Sequence, residues 1–288
     1  MFIKDIYNAK KPVISFEIFP PNERYPVEKV YDTIDELVKL SPDFISVTYG
    51  AGGTTRGRTV EIASRIKKVN NVEVLAHLTC IGADKGEIDG ILDELKENGI
   101  ENVLALRGDY PNDGSIPEGD FQYAHQLVKQ IKERGGFSIG GAFYPEAHQE
   151  SNDLMDLFHL KRKAEEGTDF LISQIFFDNS FFYEFKEKAE KLEIDVPLVA
   201  GIMPVTDARQ IKRITALCGS SIPPKFQRIL DRYENNPEAL KDAGIAYAVE
   251  QIVDLISSGV DGIHLYTMNK VETTQKIMDA IANLRIAL

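Results

Sequence analysis

Cysteine, surplus positive charge and long apolar runs are all scarce in this sequence, and each shortage closes off a class of function. The 288 residues include two cysteines, Cys80 and Cys218, far apart and in no metal-binding spacing. That excludes a disulfide scaffold and a thiolate metal centre, and free thiols in a reducing compartment are expected. Lys and Arg number 33 against 45 Asp and Glu, a formal net charge of −12. Such a field disfavours nucleic acid or an anionic membrane as the main partner, and leaves any anionic ligand to local cations. The opening "MFIKDIYNAKKP" has no apolar segment of signal-peptide length, and no run elsewhere approaches a membrane span, so a cytoplasmic location is expected. The five histidines, His77, His125, His148, His159 and His264, show no HExxH spacing, and no metal is expected. "GAGGTTR" (50–56) lacks the third glycine of a dinucleotide fingerprint, and there is no GxxxxGK[ST] phosphate loop.

What is present is a rhythm. Eight short apolar runs recur: "VISFEI" (13–18), "FISVTY" (44–49), "VEVLAHL" (72–78), "ENVLALR" (101–107), "FSIGGAFY" (137–144), "DFLISQIF" (169–176), "VPLVAGI" (196–202) and "VDGIHLY" (260–266). Amphipathic stretches lie between them, such as 27–40 and 88–99, where Ile88, Ile91, Leu92 and Leu95 form a stripe and Gly99 marks the stop. A last helix is predicted over 269–286. Eight strand–helix units in this length predict an α/β fold, a (β/α)8 TIM-type barrel occupying residues 1–288 as one domain. A doubly wound sheet is the rival, but it usually needs fewer strands. The seventh unit is long, and 220–240 reads as extra helices within it.

In such barrels the active site is built at the C-terminal ends of the strands. Those ends carry Glu17, Thr48 with Tyr49, His77, Arg107 with Asp109, Tyr144, Gln174, Met203 with Pro204, and Tyr266. Singly, each reads as a local loop contact. Together they describe a polar cup over an apolar barrel, which is a small-molecule site. Glu17 stands out, because a carboxylate ends a core strand just before Pro20 and Pro21, which stop the ladder. An apolar wall from Phe16 and Phe19 would desolvate it and favour its protonated form. The loop 107–119 opens Arg-Gly-Asp, and Gly108 is expected to let backbone approach a ligand between opposite charges.

These segments together resemble the methylenetetrahydrofolate reductases. "SFEIFPP" (15–21), "SVTYGAGGTTR" (46–56), "AHLTC" (76–80), "LALRGD" (104–109), "AFYPEAH" (142–148), "LKRK" (160–163), "SQIFFD" (173–178), "GIMPV" (201–205) and "HLYTMN" (264–269) are similar to that family in its order. The resemblance implies reduction of 5,10-methylenetetrahydrofolate on an FAD-bearing barrel, with NADH as co-substrate. It implies Glu17 as catalytic acid and Asp109 as a carboxylate near flavin and folate. FAD contacts would fall on Thr48, Tyr49, Ala51, His77, Arg107, Gly108, Asp109, Ala124, Tyr144, His148, Asp156, His159, Arg162 and Lys163. Folate contacts would fall on Gln174, Gln210 and Lys270. Arg162 and Lys163 suit a pyrophosphate, although "LKRK" alone also reads as a solvated helix face.

Three positions depart from the family pattern. His159 stands where some members place Asn, Ile214 where some place an aromatic, and Lys270 where some place Arg. The donor is therefore open between NADH, NADPH and an electron-delivering partner subunit, as some relatives use. Homo-oligomers are implied by resemblance alone. The rival readings are another flavin or pterin enzyme on an α/β barrel, and a non-catalytic barrel that binds folate or a partner.

Overall fold

In the computed structural model the β-prone runs form a closed ring of eight strands in chain order. The structure describes residues 1–21, 25–49, 56–110, 115, 117–146 and 153–285. The strands are β1 (Val13–Ile18), β2 (Phe44–Val47), β3 (Glu73–Thr79), β4 (Asn102–Leu106), β5 (Ser138–Phe143), β6 (Phe170–Ser173), β7 (Leu198–Ile202) and β8 (Gly262–Tyr266). Every adjacent pair is parallel, and β1 closes the ring on β8 with Glu17 opposite Tyr266. The helices are α1 (Ile3–Ala9), α2 (Val27–Val38), α3 (Arg56–Arg65), α4 (Lys85–Glu97), α5 (Ala124–Arg134), α6 (Asp153–Glu165), α7 (Asn179–Lys191), α8 (Ala208–Cys218), α9 (Pro224–Tyr233), α10 (Pro237–Ser257) and α11 (Val271–Ala280). The expected barrel is therefore the observed one, and three helices, α8 to α10, separate β7 from β8.

Alternation along each strand divides the core. Ile14, Phe16 and Ile18 face outward into the layer between sheet and helices. Val13 faces inward with Phe44, Leu75, Leu104, Phe170, Ile172 and Val199. The barrel floor is sealed by α1, whose Ile3 and Tyr7 join that inner cluster. Sequence reading gave this segment no structure, since it is too short to show a periodic stripe. A third cluster, with Ile175, Met203, Val205, Phe226 and Tyr247, packs the extra helices over the ends of β6 and β7. There α10 comes so close that a methyl group on Gly244 would lie 1.7 Å from the Val205 carbonyl oxygen, so only glycine fits.

Several predicted boundaries move for identifiable reasons. The helix predicted over 88–99 begins at Lys85, because Asp84 accepts from the Glu87 amide and Glu87 returns the bond, a capping box upstream of the stripe. The helix predicted over 269–286 begins at Val271, because Met268 and Asn269 both adopt positive φ. β6 stops at Ser173 rather than 176, where Gly201 N–H turns to the Ser173 side chain and the Tyr266 hydroxyl takes its carbonyl. Among the described residues, no helix is long and apolar enough to cross a membrane.

Candidate functional site

Residues two apart on a strand share a face, so Val13, Ser15 and Glu17 form one inward column on β1. Glu17 tops the column, only 7% exposed. Its Oε2 lies 3.6 Å from His77 Nε2 and 3.7 Å from His264 Nε2. His264 is held from below and beside, with Nδ1 2.7 Å from Ser15 Oγ and Nε2 3.3 Å from Ser46 Oγ. Burial pushes the His77 imidazole down to about 4, outweighing the opposing pull of Glu17, so the ring is neutral at pH 7 and adds no positive charge beside the carboxyl. His77 Nε2 is buried with no hydrogen-bond partner among the described residues. The expected wall is corrected for Phe16 by the same alternation: Phe16 faces the helices on the opposite side of the strand, and two imidazoles lie beside the Glu17 carboxyl.

The remaining mouth residues register one another's charge. The Tyr144 hydroxyl is pushed up to about 12, by burial first and then by Asp109, with Cys218, Arg107 and Asp156 also felt. Tyr266 is raised well above its ordinary range by burial, then by Glu17, Cys218 and Tyr144. Cys218 rises to about 11 through burial, then Asp109 and Glu17, which makes it a thiol rather than a thiolate at neutral pH. Strands β1, β3, β4, β5 and β8 and the end of α8 thus converge on one cup. Arg107 and exposed Asp109 flank Gly108 at φ +91°, and the guanidinium lies 4.5 Å over the Tyr110 ring. A Cβ on Gly108 would lie 2.8 Å from Ile81 Cγ2, so the chain itself also comes close there.

A second group lies along α5 and α6. The rings of Tyr123 and His159 stack at 4.8 Å, with His125 parallel to both. Tyr123 and Phe158 are 43% and 55% exposed, so a flat aromatic surface is open beside the exposed Arg162. His159 Nδ1 is buried without a hydrogen-bond partner among the described residues. Lys163 turns inward and donates to the Ala142 carbonyl at 2.6 Å. Burial pushes its ammonium down to about 8 against the restoring pull of Asp156. Ala124 opens α5 beside this stack.

The predicted folate contacts stand on the other side of the mouth. Gln174 Oε1 accepts from the Ile175 amide at 2.8 Å. Gln210 and Ile214 are four apart on α8, hence on one face, and both are half-buried. Lys270 donates to Thr206 Oγ1 at 2.5 Å, and burial lowers its pKa despite Asp207. Thr48 and Tyr49 follow β2, with the Thr48 amide donating to the Ile18 carbonyl. Ala51 and His148 lie outside the described residues. Sequence reasoning missed Cys218, Tyr123, His125 and the roles of His264, Thr267 and Asn269. Alternation in "VDGIHLY" places His264 and Tyr266 on one face, a signal that was available for the former. Among the described residues no group of His, Cys, Asp and Glu is arranged to hold a metal ion.

Comparison with known proteins adds independent findings. Residues 2–282 match the family profile described as methylenetetrahydrofolate reductase. The sequence is 38% identical over 282 residues to methylenetetrahydrofolate reductase (NADH) 1 of Arabidopsis thaliana, covering 93% of this chain and 48% of that one. It is 37% identical over 265 residues to 5,10-methylenetetrahydrofolate reductase of Pectobacterium carotovorum subsp. carotovorum, covering 92% and 88%. The chain thus spans about half the length of the plant relatives it matches and most of the bacterial one. Among solved structures it is similar to a Clostridium thermocellum protein described as binding two copies of 5-methyl-5,6,7,8-tetrahydrofolic acid, with TM-score 0.60, 14% identity and 99% of each chain covered. It is also similar to a dihydropteroate synthase of Coxiella burnetii, with TM-score 0.54, 13% identity and 96% and 94% covered. At those identities the likeness is one of fold.

Proposed function

The chain belongs to the methylenetetrahydrofolate reductase family, and from that premise we propose that it reduces 5,10-methylenetetrahydrofolate to 5-methyltetrahydrofolate, using FAD and a reduced nicotinamide, NADH. Residues 1–288 act as one catalytic barrel in this reading, and the barrels associate into homo-oligomers, which sedimentation would test. The donor set suits FAD. Arg162 and Lys163 provide cations for a pyrophosphate, the Tyr123–His159 stack offers a flat face for a ring, and the partnerless His159 Nδ1 and His77 Nε2 offer polar atoms. Thr48, Tyr49, Ala124, Arg107, Gly108, Asp109, Tyr144 and Asp156 complete that side. When bound, FAD supplies the hydride exchange between nicotinamide and folate.

The observation that carries the reading is the buried Glu17 carboxyl facing two imidazoles at the barrel mouth. Opening the folate's five-membered ring requires a proton on the departing nitrogen, and Glu17 delivers it as general acid. Asp109, exposed at the rim, favours the cationic iminium that ring opening leaves on the substrate. Gln174 and Gln210 orient the pterin, and Lys270 meets a carboxylate of the folate tail as a point charge.

The test separates two half-reactions. Purified protein should be yellow, bleach anaerobically with NADH and recover its colour with methylenetetrahydrofolate. Glu17→Gln should keep the colour and the bleaching but slow the recovery by about 10²–10⁴-fold in stopped flow. A colourless protein that takes up no FAD sinks the proposal. Bleaching only by another donor or a partner subunit keeps the reductase and overturns NADH.

A further inference from the structure

The main-chain ladder between β1 and β8 runs out at Glu17, opposite Tyr266. Beyond it, Pro20 and Pro21 have no N–H to continue the pairing. Phe19 would be left with an unpaired amide and carbonyl, yet both are taken up by a side chain. Asn269 Oδ1 accepts from Phe19 N–H at 3.0 Å, and Asn269 Nδ2 donates to the Phe19 carbonyl at 3.1 Å. The carboxamide replaces the missing strand neighbour. The Thr267 hydroxyl donates to the Glu17 carbonyl at 2.6 Å and accepts from the Asn269 amide at 3.2 Å. Thr267 is fully buried, so this bond is shielded from water.

The turn that aims Asn269 carries strain. Met268 at φ 53° and Asn269 at φ 56° are two consecutive left-handed residues, neither of them glycine. Such conformations persist when surrounding structure over-determines them, and they cluster at functional sites. Here the over-determination is the pair of bonds to Phe19 together with the bond from the Lys270 amide back to the Thr267 carbonyl at 2.9 Å.

We propose that Asn269, supported by Thr267, is a positioning residue for Glu17: together they hold the backbone from the Glu17 carbonyl through Phe19 and so help fix where the carboxyl sits. The clamp rests on the reading of Glu17 as the general acid. Glu17 lies beyond hydrogen-bond distance of both His77 and His264, so no such bond anchors its carboxyl, and where its backbone is held matters the more. A misplacement of about 1 Å in a catalytic group can cost about 10²-fold in rate.

Asn269→Gly is the informative variant, because glycine adopts positive φ freely and the turn keeps its path while losing the carboxamide. The Phe19 amide should lose its protection from hydrogen exchange. FAD content and the half-reaction with NADH should stay at wild-type values. The limiting rate of the folate half-reaction should fall about 10- to 100-fold, without a matching change in the folate concentration for half-saturation. Thr267→Val should move the same rate in the same direction by less. In a Glu17→Gln background, Asn269→Gly should cause no further slowing. Equal slowing in both backgrounds, an equal loss in the NADH half-reaction, or a still-protected Phe19 amide overturns the clamp. If Glu17→Gln slows the folate half-reaction and Asn269→Gly does not, the clamp alone falls. If Glu17→Gln has no effect, the acid assignment falls and the clamp with it.

Discussion

Around Glu17 the least conspicuous partner, His77, makes the sharpest statement about pH. Its imidazole is held neutral by burial, down from 6.5 to about 4. In the unfolded chain it takes a proton below about 6.5, and in the folded protein it does so only below about 4. Its contribution is therefore full above pH 6.5 and is lost as pH falls from 6.5 to about 4. The shift corresponds to about 3 kcal/mol. Urea unfolding across that window should show wild type losing about that much more stability than His77→Gln. Parallel curves would mean the ring is protonated when folded. Glu17 was legible in the sequence as an anomaly, a charge ending an apolar strand before two prolines. Its surroundings were not, because they are assembled across the sheet. Thr267 reaches Glu17 from 250 residues away, and such pairings leave no local pattern. The misassigned Phe16 was a failure to apply alternation, which was available.

Among the elements, α6 carries a distinct prediction through Lys163, whose ammonium is depressed to about 8. Its charge is present below that pH and lost above it. If it holds an FAD phosphate, affinity for FAD should fall by up to about tenfold per pH unit above pH 8. Lys163→Arg keeps its charge throughout and should flatten the decline, as read by equilibrium dialysis between pH 7 and about 10. A wild-type affinity already independent of pH would return Lys163 to a purely structural contact with Ala142. All eight strands could be read from sequence, because apolar runs of strand length punctuated by glycine and proline are local signals. Their ends were less legible. β6 was cut short by the side chains of Ser173 and Tyr266, and α11 by a left-handed pair, and both are settled by tertiary partners. The floor helix α1 was invisible for a related reason: its seven residues gain their order by docking on Phe44 and Phe170 through Tyr7.

The molecule as a whole is strongly acidic at −12, while FAD, a reduced nicotinamide and a folate are all anions. If these are its ligands, the global field would repel them over long distances, and the cations at Arg107, Arg162 and Lys163 would attract them only nearby. Salt screens the long range first, since the Debye length falls from about 30 Å at 0.01 M to about 8 Å at 0.15 M. The association rate of FAD with the flavin-free protein should therefore rise several-fold over that range, measured by stopped-flow fluorescence. A falling rate would show that the local cations govern even the distant approach. The closure of β1 on β8 has one more consequence, for the order in which a ribosome delivers the chain. β1, with Glu17 at its end, is made well before its neighbour β8, and the Thr267 hydroxyl that bonds the Glu17 carbonyl follows 250 residues later. A nascent chain short of residue 262 can pair β1 with β2 only, leaving one edge open and the carboxyl without its clamp. In the proposed reading, the carboxyl at the end of β1 thus waits for β8 and its turn to reach its working position, so that an unfinished barrel would lack a positioned proton donor.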